Sequence, residues 1–239
     1  MLRLIGFGTG VLLVVLVALT PLWAQLGVDA IVPIAIAVLH GLGMSGLAQW
    51  TLAGGRRLAV TPHPADYVTM ARSMLGAGCL AVVVTALAWH LVLPSWWLGV
   101  LAAPALLLDA IDGPVARRTG TASLAGGRYD LECDAVFVMI IALGAAQVYG
   151  PWVLVLGMMR YLFVIVAMLV PRLRAPLAYS RFRRVIAAVQ GVVLVVAITP
   201  LLPSQVNVTV LIATIALLVI SFGRDTVGLL RRPVEVLRE

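Results

Sequence analysis

Two pairs of aspartates with helical spacing are the residues of this chain best suited to chemistry. Asp109 and Asp112 are three residues apart, and Asp130 and Asp134 are four apart, so each pair places two carboxylates on one face of a helix. Both pairs border long apolar runs, where an ionised carboxylate is costly unless it is paired or binds a metal. Clustered carboxylate oxygens without matching lysines suit hard divalent cations. The spacing therefore predicts a site for one or two ions of Mg²⁺ or Mn²⁺.

The residues between the two pairs complete a longer pattern. From Asp112 to Asp134 it has the form DGxxAR, then eight residues, then GxxxDxxxD. This pattern resembles, without departure, the signature of the CDP-alcohol phosphotransferase family. Members of that family are membrane enzymes that move a phospho-alcohol from a CDP-linked donor to an acceptor hydroxyl. The resemblance extends from roughly Pro62 to Arg224.

The resemblance implies a role for each aspartate. Asp109, Asp112 and Asp130 would hold two metal ions, and Asp134 would contact the second metal and serve as the general base. The metals would neutralise the donor pyrophosphate and stabilise the CMP leaving group. The base would take the proton of the attacking hydroxyl.

The resemblance also implies that residues in and near the motif bind the CDP donor. Small side chains let a ligand approach the backbone, and an arginine offers a planar donor fork for phosphate oxygens. Glycines 120, 126 and 127 are expected around the turn between the two aspartate helices. The predicted donor-binding residues are Asp66, Thr69, Gly113, Ala116, Arg117, Ser123 and Gly126. For Asp66 and Thr69, capping of the third helix is an alternative role.

A cluster of arginines follows the sixth apolar segment, between Pro171 and Arg184. Retention of this loop on the cytoplasmic side is one explanation, and an anion pocket for a phosphorylated acceptor or for lipid head groups is another. Arg160 lies inside an apolar segment and needs a partner. Glu132 is the predicted partner, and contact of Arg160 with the acceptor is the alternative. The predicted acceptor-binding residues are Arg160, Arg172, Arg181, Arg184 and Gln190.

Composition places the chain in a membrane. Of its 239 residues 62% are hydrophobic and 11% are charged, and the mean hydropathy is +1.09. Soluble domains are about 25% charged. The formal charge is +7 and all 17 basic residues are arginines, which we expect in short loops, so topology explains the basic balance better than nucleic-acid binding. The two cysteines and three histidines are scattered and are not expected to bind metal.

Eight apolar segments are long enough to cross a bilayer as helices. Arginine-bearing connectors alternate with connectors that lack arginine, which predicts a multi-pass protein of the plasma membrane with both termini and the aspartates on the cytoplasmic side. The first segment also resembles a signal peptide, but we expect it to remain as a helix. The predicted segments are 4–24, 30–53, 66–92, 96–117, 128–148, 151–171, 184–203 and 206–223.

The predicted fold is therefore an all-α integral membrane protein. A six-helix family core at 61–225 follows an N-terminal pair of transmembrane helices at 1–60 and precedes a cytoplasmic tail at 226–239. The expected partners are a CDP-linked lipid donor such as CDP-diacylglycerol, a small polar acceptor with or without a phosphate, and membrane lipids; a homodimer stays open. An aspartate-rich prenyltransferase and a divalent-cation transporter are the alternatives, although the short turn between the pairs and the lack of an internal repeat disfavour them.

Overall fold

The computed structural model describes residues 1–53, 62–92, 96–118, 120, 123–174 and 180–231, and the regular secondary structure of these residues is entirely helical. This confirms the all-α prediction. Two short 3₁₀ helices, Pro151–Val153 and Pro171–Arg174, precede and follow the sixth α-helix. The α-helices are α1 (Leu2–Leu26), α2 (Ile31–Ala53), α3 (Pro64–Ala88), α4 (Trp96–Arg118), α5 (Leu124–Tyr149), α6 (Leu154–Leu169), α7 (Arg181–Ala197) and α8 (Ser204–Leu230).

Six helices in the described part of the chain are long and apolar enough to cross a membrane: α1, α2, α3, α5, α8, and α6 with the 3₁₀ turn before it. The apolar part of α4 is shorter, Trp96–Ile111, and α7 has 17 residues. The bounds of several predicted segments shift, because helical hydrogen bonding does not follow hydropathy alone. The seventh helix begins at Arg181, where the Ser180 hydroxyl caps it by accepting from the Arg183 amide at 3.3 Å. The eighth continues past its apolar run to Leu230.

Helix α3 lies at the centre of the first half of the bundle, packed against α1, α2, α4 and α5. Small residues permit these close approaches, since a Cβ on Gly78 would lie only 2.4 Å from Val15 of α1. Trp23 of α1 also donates a buried hydrogen bond of 3.2 Å to the hydroxyl of Thr85. The N-terminal helices are thus tightly attached to the helix that carries Asp66 and Arg72.

The second half joins α5 to α6, α7 and α8. The Tyr149 hydroxyl, at the end of α5, donates to the carbonyl of Ala197 at 3.0 Å and accepts from the Asn207 amide at 2.9 Å. These bonds tie α5, α7 and α8 together at the end of the bundle opposite the aspartates. At their other ends the same helices separate enough to leave a cavity.

Candidate active site

Three aspartates from two helices converge at one end of the bundle. Asp109 lies on α4, and Asp130 and Asp134 lie one turn apart on α5. One carboxylate oxygen from each residue lies within 4.8 Å of the other two, and all three side chains are partly exposed. Oxygen atoms so arranged are the ligands that Mg²⁺ and Mn²⁺ prefer. The described donor set therefore fits a hard divalent cation.

Arg72 of α3 makes ion pairs with all three of these carboxylates. Its guanidinium contacts Asp109 and Asp130, and lies 2.8 Å from an oxygen of Asp134. Its side chain is only 1% exposed. Because an arginine stays protonated in proteins, three helices are held together by one permanent positive charge. The guanidinium is buried but the carboxylates are partly exposed, so removing one carboxylate costs less than the about 3–5 kcal/mol of a fully buried pair.

Arg72 corrects the expectation that the arginines lie in short loops. It sits two turns inside α3 and was not among the predicted site residues. A signal was available, because an arginine within an apolar span is a functional candidate that needs a partner. It also follows Asp66 and Thr69 at steps of three residues, which places all three near one helix face.

Three of the residues predicted to bind the CDP donor, Asp66, Ser123 and Gly126, lie together where α3 and α5 begin. The Ser123 hydroxyl caps α5 by accepting from the Gly126 amide at 2.9 Å. A Cβ added to Gly126 would lie 3.0 Å from that hydroxyl and 3.3 Å from Asp66 Oδ1. Asp66 itself is buried and accepts from the His63 amide at 2.7 Å, which caps α3. The absence of a side chain at Gly126 thus allows Asp66 to approach the α5 N-terminus.

Two details of the predicted helix starts were wrong. Gly126 and Gly127 lie in the first turn of α5 and not in the connection before it, because Ser123 starts the helix earlier than hydropathy indicated. Thr69 does not cap α3, which already starts at Pro64; its hydroxyl donates to the carbonyl of Ala65 at 3.2 Å.

A cavity of about 490 Å³ opens beside the carboxylates, between α5, α6, α7 and α8. Asp130 and Asp134 line it on one side. The remaining polar lining comes from residues of α6, α7, α8 and the α7 cap: Arg160, Ser180, Arg183, Arg184, Gln190 and Ser221. Three of the five residues predicted to bind the acceptor thus share one cavity with two of the aspartates.

Two of the cavity arginines are paired with carboxylates that do not line the cavity. Arg160 contacts Glu132 of α5, which is the partner that the sequence predicted. Arg183 contacts Asp225 of α8 at 2.8 Å. Arg183 was not predicted as a site residue, although it belongs to the arginine cluster. Each pair restricts where its guanidinium can point, so both charges stay close to the cavity wall.

Two of the residues predicted to bind the acceptor are not brought to this cavity. Arg172 and Arg181 are exposed and do not line it. The side chains of residues 112–119 lie outside the described part of the structure, so the roles of Asp112, Gly113, Ala116 and Arg117 stay predictions.

Comparison with protein families supplies the decisive observation. The model of the CDP-alcohol phosphatidyltransferase family matches residues 62–220, which is more than half of the chain. The chain belongs to this family. The match begins two residues before α3 and ends within α8, so it spans the three clustered aspartates, Arg72 and most of the residues that line the cavity. Helices α1 and α2 precede it.

Family membership identifies a transferase that moves a phospho-alcohol from a CDP-alcohol, with the divalent metal that such enzymes typically use. It favours this activity over the prenyltransferase and transporter alternatives. Searches of curated proteins and of solved structures gave no match to the chain.

Proposed function

We propose that this CDP-alcohol phosphatidyltransferase transfers a phosphatidyl group from CDP-diacylglycerol to the hydroxyl of a small anionic acceptor in phospholipid synthesis, releasing CMP. One observation carries the proposal. Asp130 and Asp134 belong both to the metal-competent carboxylate cluster and to the wall of a cavity whose other side bears Arg160, Arg183 and Arg184. An acceptor in that cavity would have a carboxylate beside its reacting hydroxyl group and arginine guanidinium groups around the rest of the molecule.

The metal ligands in this proposal are Asp109, Asp130 and Asp134, with Asp112 added by resemblance. Bound Mg²⁺ or Mn²⁺ would offset the charge of the donor pyrophosphate. Asp134 accepts the proton of the acceptor hydroxyl as the oxygen of that hydroxyl bonds to the phosphatidyl phosphorus. The bond between that phosphorus and the bridging oxygen breaks, and CMP leaves with the bonding electrons. The pyrophosphate bond supplies the driving force.

The donor would bind along the seam between α3 and α5. Asp66, Ser123 and Gly126 lie together at the start of this seam. Asp130 and Asp134 follow one to two turns further along α5, and Arg72, which contacts both, follows Asp66 on α3. A ligand extended along the seam would therefore place its nucleoside end at the helix starts and its pyrophosphate near the carboxylates. Gly113, Ala116 and Arg117 complete the proposed donor site by resemblance.

The arginines favour an acceptor that carries a phosphate or another anion. Arginine forks match phosphate oxygens well, and Arg160 and Arg183 are held at the cavity by Glu132 and Asp225. Gln190 is buried in the same wall, with its amide donating to the carbonyl of Leu156 at 2.8 Å. The cavity opens near the arginine-bearing connectors, which supports an active site facing the cytoplasm at the plasma membrane.

The decisive experiment is product analysis. Purified protein in detergent micelles receives CDP-diacylglycerol, Mn²⁺ and, in separate reactions, phosphorylated acceptors, free polyols and amino alcohols. We expect CMP release together with a new anionic phospholipid, detected by mass spectrometry, only with an anionic acceptor. Release of CMP with an uncharged acceptor alone would disprove the anionic assignment, and no release with any acceptor would disprove the donor.

Arg184 lines the cavity, whereas Arg181, three residues earlier on α7, does not. Arg184→Gln should raise the acceptor KM by roughly tenfold or more, because a charge-assisted contact contributes about 1.5–3 kcal/mol. Arg181→Gln removes the same charge from the same first turn of α7 but lies off the cavity, so its acceptor KM should stay near that of the parent protein. Steady-state kinetics with donor and acceptor varied separately provide the test. Equal effects of both substitutions would mean that the arginines at the start of α7 act through their total charge.

A further inference from the structure

Arg72 presents a positive charge to the same carboxylates that are proposed to bind a positive ion. Its guanidinium contacts Asp109, Asp130 and Asp134, and the residue is buried on α3. It does not line the cavity, so it is not positioned to touch the acceptor. Its role must therefore be sought in what it does to the carboxylates.

The charges of the cluster show what that role is. Three carboxylates and one guanidinium carry a formal charge of −2, whereas the carboxylates alone would carry −3. Without a compensating cation, three carboxylates within a few ångströms repel one another and lose part of their hydration. Arg72 supplies compensation in every state of the protein, because it cannot lose its proton under ordinary conditions. A divalent cation entering the cluster must meet this fixed charge at close range.

We propose that Arg72 is an internal counter-cation of the carboxylate cluster. It holds the three carboxylates together when no metal is bound, and it weakens divalent metal binding by competing for the same oxygens. The proposal rests on the function proposed above, since the metal is the one that function requires. Arg72 is thus a positioning residue: it keeps the carboxylates in place before the metal binds, and it allows the bound metal ion to exchange readily.

The test measures Mn²⁺ binding directly. Mn²⁺ is added to purified protein in detergent, and the electron paramagnetic resonance signal of the free Mn²⁺ is recorded. Arg72→Met keeps most of the side-chain volume and removes the charge. We expect it to bind Mn²⁺ at least about tenfold more tightly, because a like charge a few ångströms from the ion is removed. In chelator, the thermal unfolding midpoint of Arg72→Met should be lower than that of the parent protein. Adding Mn²⁺ should raise the midpoint of Arg72→Met by more than it raises the midpoint of the parent.

A second variant keeps the test decisive should Arg72→Met not fold. Arg72→Lys retains the charge on an arm that cannot contact three carboxylates as a fork. We expect Mn²⁺ affinity to rise by about threefold, since competition is weakened but not removed. Arg3→Met, an exposed arginine at the start of α1, is the matched control and should bind Mn²⁺ like the parent.

The outcomes separate the two proposals. If the parent protein binds Mn²⁺ and forms CMP while both Arg72 variants bind Mn²⁺ equally or more weakly, the counter-cation role is wrong and the proposed function stands. If Arg3→Met tightens binding as much as Arg72→Met, the effect is one of total charge and the role is also wrong. Failure of the parent protein itself to bind Mn²⁺ would overturn both.

Discussion

Asp134→Asn should lower turnover by at least about 100-fold, because general-base catalysis typically contributes 10²–10⁴-fold. An amide cannot accept the proton of the acceptor hydroxyl, yet it has nearly the same size as the carboxylate. The fold should survive, since Arg72 still pairs with Asp109 and Asp130. Initial rates of CMP release at saturating donor, acceptor and Mn²⁺ provide the measurement.

The control for this prediction is Asp29→Asn. Asp29 is exposed between α1 and α2 and accepts from the Ile31 amide at 2.9 Å, which an asparagine oxygen can also do. This variant should retain parental turnover. Asp134 loses its proposed role as the base should Asp134→Asn turn over at a rate within a few-fold of the parent while remaining folded.

Removal of divalent metal should reduce CMP release to background, and Mg²⁺ or Mn²⁺ should restore it. The described cluster offers only carboxylate oxygens, which favour hard ions over thiolate-seeking metals. Without the ion, the pyrophosphate of the donor would face several carboxylates, and among the described residues Arg72 is the cation that pairs with the three of the cluster. Activity is measured after exhaustive chelation and then over a titration of each metal.

Chelated protein must be shown to remain folded for this loss to be informative. Arg72 already compensates the carboxylates, so we expect cooperative thermal unfolding in chelator and recovery of activity on adding metal back. Full activity after exhaustive chelation would contradict a metal-dependent transfer. Loss of activity that no divalent ion restores would point to unfolding instead.

The sequence by itself determined that the protein is helical and which carboxylates share a helix face. Long apolar runs of this length satisfy their backbone in lipid as helices, so the six long apolar helices of the described part follow from hydropathy. The spacing of Asp130 and Asp134 places them on one helix face wherever that helix packs. The partner of Arg160 was also within reach, because Glu132 points away from the aspartate face and an intramembrane arginine requires an opposite charge.

Hydropathy located the helix ends less well. Ser123 and Ser180 start α5 and α7 by local hydrogen bonds, which move Gly126 into a helix and shift the seventh segment toward the N-terminus. Capping depends on backbone geometry over a few residues, whereas a hydropathy window averages over about 19 residues.

Only the tertiary structure decided which charges meet. Arg72 is 37 residues from Asp109 and 58 from Asp130, so no local spacing rule links them. The division of the arginine cluster into cavity-lining and outward-facing members likewise depends on how α7 is rotated against α5, α6 and α8. Helical periodicity determines which residues share a face, but packing between helices determines what that face contacts.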